Sequence, residues 1–232
     1  FGYGIGEMAQ TVGVDLKTIG FSYDETINDM ARIEAAIAEF KPRMITAVHC
    51  ETPSGTLNPL EELGRLKHAY RVPLLYVDAV ASAGGAPVLA DDWHIDLCLG
   101  GSQKCLSAPP DMSFLSVSPR AWEIIDAVGY VGYDALKPFH QAVENRLFPY
   151  TPSWQGVAAL YVAAGLLLDE GLANSFNRHD AVARYCRQRL VGMGIDLFTG
   201  PGAVPSPTVT AASIPEGSTW EVWDRRLRES GL

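Results

Sequence analysis

Three short apolar runs, separated by helical patterns and each closing on polar or glycine residues, constrain the architecture more than any other feature of this chain. They are MITAVHC at residues 44–50, LLYV at 74–77 followed by Asp78, and IDLCL at 95–99 followed by Gly100 and Gly101. Runs this short and this rich in β formers read as strands buried on both faces. Between and before them apolar side chains return at helical spacing. Met30, Ile33, Ile37 and Phe40 mark a helix over 26–40 that Pro42 stops, and a second helix covers 59–70. SFLSVS at 113–118 alternates as a half-covered strand does. Strands alternating with helices predict an α/β fold whose mostly parallel sheet is covered by helices.

The second half reads differently. Residues 151–190 are helical with a break near Gly171, and 200–207 is a Gly/Pro-rich connection. A strand over 209–214 and a helix over 220–227 then open a smaller α+β domain, which divides the chain into 1–190 and 191–232. The longest apolar stretch, 156–168, is too short to span a bilayer and is expected to be a buried helix. The first residue is Phe1 rather than Met, and the last ones read as a closing helix, so the chain is expected to be the middle of a longer polypeptide.

Composition excludes several classes of function. With 47% hydrophobic residues the chain is not disordered, and 18 Lys+Arg against 27 Asp+Glu gives −9, without the basic run that nucleic acid or an anionic membrane requires. Cys50, Cys98, Cys105 and Cys186 show no CxxC spacing and read as buried thiols of a reducing compartment, the cytoplasm. His94, His140 and His179 share no ligand spacing, so no metal site is expected.

In open parallel sheets ligands bind beyond the carboxyl ends of the strands. The polar residues there are Glu51 to Gly55, Asp78, and Gly101-Ser102-Gln103-Lys104. A strand-end aspartate alone reads equally as a cap or an ion pair, and His49 reads first as a satisfied core histidine. Together, an acid and a lysine on adjacent strand ends suggest either a salt bridge or a cofactor held between them.

Three strings carry more: HCETPSGTLNP at 49–59, VDAVASAGG at 77–85 and GSQKCLSAPP at 101–110, with FPYTPS at 148–153 later. In this order they resemble the class V aminotransferases, fold-type I enzymes dependent on pyridoxal 5′-phosphate (PLP), in particular their alanine–glyoxylate, serine–pyruvate and pyridoxamine–pyruvate branches. The resemblance implies that Lys104 joins the cofactor aldehyde as a Schiff base and carries the proton at the substrate Cα. It places Asp78 under the pyridine nitrogen, Val80 on one ring face, Thr52 at the ring's 3′ oxygen, and Ser102 and Gln103 against the phosphate or a ring oxygen. Phe1 would stack on the other ring face, and Thr151 would reach the phosphate of a neighbouring subunit, implying a homodimer. The substrates implied are a small amino acid and a 2-oxo acid such as glyoxylate or pyruvate.

Each residue also has a plainer reading: Val80 as a core valine, Thr52 as the brace of its own turn, Ser102 and Gln103 as local backbone caps. Pro53 departs from the hydroxyl-hydroxyl-Gly run usual in the family. Gln103 stands where cysteine desulfurases usually carry His, and Cys105, locked beside the lysine, is poorly placed as a desulfurase nucleophile. The family's phosphate-cup loop and substrate-carboxylate arginine match nothing between Phe1 and Leu232. Three alternatives stay open: free pyridoxamine as amino donor, a non-catalytic module that keeps the fold, and a desulfurase-like lyase.

Overall fold

A computed structural model describes residues 2–232. Four strands form the main sheet: β1 (Met44–Val48), β4 (Leu74–Asp78), β5 (Leu97–Gly101) and β6 (Ser113–Val117), in the order β1-β4-β5-β6. The first three are parallel and β6 runs antiparallel to β5. Two-residue strands β2 (Cys50–Glu51) and β3 (Thr56–Leu57) make a small antiparallel hairpin just beyond β1. The predicted strand over 44–50 therefore divides at His49, because the Cys50 backbone turns away from β4 to pair with Leu57.

Alternation along β4 fixes which helix covers which face. Leu75 and Val77 point one way, into a core with Ile33 and Ile37 of α2 (Met30–Phe40) and Leu60 and Leu63 of α3 (Leu60–Ala69). Leu74 points the other way, against Leu97 and against Ala121 of α4 (Pro119–Val128). Leu75 and Val77 are fully buried, which contributes about 1.5–3 kcal/mol apiece.

Local chemistry sets the helix ends. Asp29 caps α2 through the Arg32 N–H, so the helix starts four residues later than its apolar spacing suggests, and Lys41 in the left-handed region closes it before Pro42. Ser118 caps α4 through the Ala121 N–H, Pro119 occupies the first turn, and Gly129 at φ 63° ends it. The sequence reading passed over α4, and also over α1 (Gly2–Thr11). The helical region after 151 is α5 (Trp154–Glu170) and α6 (Leu172–Gly192), which meet at 88° around Gly171. The last helix, α7, spans Trp220–Glu229.

Three expectations need correction. Residues 209–214 form no strand: the pairing with 196–198 is limited to a single bridge between Leu197 and Ala212 and bonds on either side of it, before Gly200 turns away to the Asp24 carbonyl. The apolar stretch 156–168 is not buried. It packs against α6 and, near Gly156 and Leu167, against Met112 and Gly84, and this leaves Tyr161 80% and Leu168 68% exposed. Of the four cysteines only Cys50 is fully buried; Cys98 and Cys105 are half-buried, and Cys186 lies on an outward face of α6. No single helix among the described residues is long and apolar enough to cross a membrane.

Candidate active site

Because β1, β4 and β5 are parallel, their carboxyl ends share one edge of the sheet, with Val48, Asp78 and Leu99 in register. Asp78 is the last residue of β4 and is half-buried. Its Oδ1 accepts the Val80 N–H at 2.9 Å, and its backbone carbonyl accepts the His49 N–H at 2.8 Å. Its Oδ2 has no hydrogen-bond partner among the described residues. Beyond it the chain turns tightly, the Ala79 carbonyl accepting the N–H groups of Ser82 and Ala83 at 3.0 and 2.8 Å.

Val80 and Gln103 come together over Gly101, the final residue of β5. A Cβ at Gly101 would lie 3.0 Å from Val80 Cγ1 and 2.8 Å from Gln103 Oε1, so the missing side chain lets Val80 and Gln103 close over the end of β5. Gln103 and Lys104 follow at once, both exposed, and Lys104 Nζ makes no hydrogen bond or ion pair among the described residues. Ser102 behaves otherwise. It is fully buried, its Oγ donates to the Pro109 carbonyl at 2.5 Å and accepts the Met112 N–H at 3.3 Å, and it ties loop 102–112 to itself. Both are the bonds of a local backbone cap.

Thr52 stands in the turn between β2 and β3, on the loop that follows β1. Its hydroxyl has no hydrogen-bond partner among the described residues, because Ser54 braces this turn, bonding Thr56 Oγ1 at 2.8 Å. Gly55 sits at φ 69°, and a Cβ there would fall 2.9 Å from the Ala211 nitrogen. Val209 and Ala211 make that close approach, and a strap from residues 199–208 just before them fastens the turn. Thr199 Oγ1 donates to the Ser54 carbonyl at 3.2 Å, the Ser206 N–H to Gly55 at 2.8 Å and the Leu57 N–H to Val204 at 2.8 Å. Cys50 Sγ lies 3.1 Å from Ser206 Oγ, and burial is the main reason its thiol is raised. The strap was missed by sequence reasoning, since nothing local in 199–208 points at residues so far away in the chain.

Cys105 is half-buried with its thiol raised, chiefly by burial, and so is a poor nucleophile at neutral pH. His49 is buried, with Nδ1 2.9 Å from Ser82 Oγ and the ring edge-on to Trp93. Burial holds its imidazolium down at about 4, so it is a neutral, satisfied core histidine. Thr151 is exposed, two residues before Ser153, which caps α5 and reaches Asp111 of the lysine loop at 3.4 Å; no hydrogen bond joins Thr151 to the other candidates. Phe1 lies outside the described residues. No group of three or more metal-ligating side chains occurs among the described residues. A cavity of about 350 Å³ between α1, α2 and β1 is lined by Ile33, Ile37, Ile45 and Thr56 and does not reach Asp78 or Lys104.

The family described as aminotransferase class-V matches residues 4–227. The chain is 35% identical to alanine–glyoxylate aminotransferase of Oryctolagus cuniculus over 234 residues, covering 93% of this chain and 57% of that protein. It is 32% identical to pyridoxamine–pyruvate transaminase of Mesorhizobium japonicum, covering 99% of this chain and 58% of that one. Among solved structures, ureidoglycine–glyoxylate aminotransferase from Bacillus subtilis superposes with a TM-score of 0.92 at 32% identity, over 99% of this chain and 60% of that chain. The chain thus spans about half the length of the curated relatives it matches. A parallel sheet whose carboxyl edge carries Asp78 and Lys104, with these similarities along nearly its whole extent, makes the chain a member of the class V aminotransferase family.

Proposed function

We propose that the full-length protein is a PLP-dependent aminotransferase that moves an amino group from a small amino acid to a 2-oxo acid such as glyoxylate or pyruvate. One observation carries this reading. At the strand ends Ser54, Ser82 and Ser102 are all used in holding backbone, whereas Thr52 Oγ1, Asp78 Oδ2 and Lys104 Nζ have no hydrogen-bond or ion-pair partner among the described residues. Three such groups, on the loops that follow β1, β4 and β5 at the carboxyl edge of one sheet, suit a flat, polar-edged ring. Asp78 would hold the pyridine nitrogen, Val80 one ring face, Thr52 the 3′ oxygen and Gln103 the cofactor's near edge.

When bound, PLP supplies a carbonyl carbon through which amino groups exchange and a ring that draws electrons from the substrate Cα. The chain's own residues do the remainder. The Val80 N–H fixes the Asp78 carboxylate, which favours a protonated ring nitrogen. Lys104, tied by no carboxylate, is free to bond the carbonyl carbon and to move a proton at the substrate Cα. Residues 1–190 would form the cofactor-binding part and 191–232 the start of a smaller domain. A homodimer in which Thr151 serves the neighbouring subunit is supported by the apolar surface of α5 and of 130–147, including Tyr133 and Val143, more than 80% exposed. A cytoplasmic location is supported by four unpaired cysteines.

The similarity to pyridoxamine–pyruvate transaminase favours a second reading, in which free pyridoxamine is the amino donor and the same pocket takes it as substrate. Borohydride reduction of the full-length protein with added PLP, followed by peptide mass mapping, tests the first. A pyridoxyl-phosphate adduct on Lys104 is the expected result; a folded protein without one refutes it. Turnover of pyruvate with pyridoxamine, but not with small amino acids, would select the second.

A further inference from the structure

We propose that His49 is a positioning residue for Asp78, an inference that rests on the cofactor-binding reading above. The two residues meet where β1 ends: the His49 N–H donates to the Asp78 carbonyl at 2.8 Å, continuing the parallel register by one step. The ring then reaches past Asp78 to the turn that follows it. Nδ1 lies 2.9 Å from Ser82 Oγ, and both groups are inside the protein, His49 2% and Ser82 0% exposed. Ser82 closes that turn twice, donating its N–H to the Ala79 carbonyl at 3.0 Å and its hydroxyl to the same oxygen at 3.3 Å. Inside the turn the Val80 N–H donates to Asp78 Oδ1.

Through Ser82 Oγ and the Ala79–Val80 peptide group, hydrogen bonds therefore link the imidazole to the carboxylate. With the Ser82 proton given to Ala79, the hydroxyl lone pair accepts Nδ1–H, which assigns the tautomer and leaves Nε2 unprotonated. Trp93, edge-on at 5.9 Å, fixes the ring plane, and the His49 carbonyl is held by the Asn58 N–H at 2.8 Å. A histidine that only filled the core could satisfy Nδ1 on any nearby carbonyl. This one spends that bond on the turn whose Val80 N–H sets the direction of the Asp78 carboxylate.

The test uses the full-length protein in its cofactor-free form and four substitutions. His49→Asn returns a polar group near the Nδ1 position, His49→Leu removes it, Ser82→Ala removes its partner, and Asp78→Asn removes the end of the path. Hydrogen exchange followed by mass spectrometry should show amides of 82–86 exchanging about tenfold faster in His49→Leu and in Ser82→Ala, and near the native rate in His49→Asn. The PLP dissociation constant, measured by equilibrium dialysis, should rise about tenfold in the same two variants. Combining His49→Leu with Asp78→Asn should weaken binding no further than Asp78→Asn does alone.

Faster exchange with unchanged PLP affinity, or losses from His49→Leu and Asp78→Asn that multiply, would make His49 a purely structural residue and overturn the proposal. Should His49→Leu fail to fold, Ser82→Ala and His49→Asn carry the same comparison. Failure of the native protein to bind PLP would remove the cofactor-binding reading and the positioning role with it. That result shows in the unsubstituted protein alone and so cannot be confused with failure of His49.

Discussion

Replacing Asp96 with alanine removes three bonds at once, each to a different element. The carboxylate takes the Leu75 N–H of β4 at 2.7 Å, Lys67 Nζ of α3 at 2.8 Å and the hydroxyl of Ser118, the cap of α4, at 3.0 Å. Asp96 is 5% exposed and the Lys67 side chain 12%, so water reaches neither well. Breaking a buried ion pair from one side costs about 3–5 kcal/mol, and an orphaned buried amide about 1–3 kcal/mol. The two overlap, because Lys67 can slide its ammonium toward solvent, and we expect a net loss of about 4 kcal/mol. Urea unfolding of the full-length protein, followed by tryptophan fluorescence, measures it. The loss should persist in 1 M NaCl, since a buried pair is little screened. Adding Lys67→Met should recover about 2 kcal/mol by removing the stranded charge. PLP binding should survive, because Asp96 lies at the amino edge of the sheet, opposite Lys104. A cost under about 1 kcal/mol, or one that vanishes in high salt, would mean that Asp96 is solvated and that this bookkeeping is wrong.

Two further outcomes follow from the site. Lys104→Ala should abolish transamination while shifting the urea midpoint by less than about 0.5 kcal/mol equivalent, because the side chain is exposed and has no partner among the described residues; residual transamination near the native rate would refute its role. His49, held near 4 in the fold, lies below the ordinary value of 6.5, so the unfolded chain takes up a proton first as pH falls. Stability from this group is full above 6.5, declines down to about 4 and is flat below, a total of roughly 3 kcal/mol. His49→Asn should therefore lose less stability than the native protein between pH 7 and pH 4.5, and parallel losses would contradict the assignment.

The parallel strands were legible because burial on both faces leaves a continuous apolar run, as in Leu74 to Val77, with Asp78 marking its end. Helix α4 is legible too, in the Ser118-Pro119 start, the Gly129 stop and Ala121, Trp122, Ile125 and Val128 at helical spacing between them. Residues 156–168 misled because apolar composition says how much surface a helix would bury and not whether a neighbour covers it. At the site, the spacing of Asp78 and Lys104 stood out because each ends or follows a strand. The division of labour among hydroxyls did not: Ser102 and Ser54 brace backbone and Thr52 does not, a distinction set by partners as distant in sequence as Pro109 for Ser102 and as near as Thr56 for Ser54.

The strap over the Thr52 turn has a consequence for how the molecule is made. Asp78 and Lys104 are joined through neighbouring strands, but the Thr52 loop is held by residues 145 and 156 positions away, Thr199 on Ser54 and Ser206 on Cys50. Closing a loop that long costs about 4 kcal/mol of chain entropy before any bond rewards it. A ribosome adding about 5–20 residues per second needs about 7–30 seconds to cover that distance. During that interval the Asp78–Lys104 edge can already have formed while the Thr52 turn still lacks its fastening. The carboxyl edge of this sheet is thus completed from the far end of the chain, and the hydroxyl at Thr52 is the last of its three open groups to be set in place.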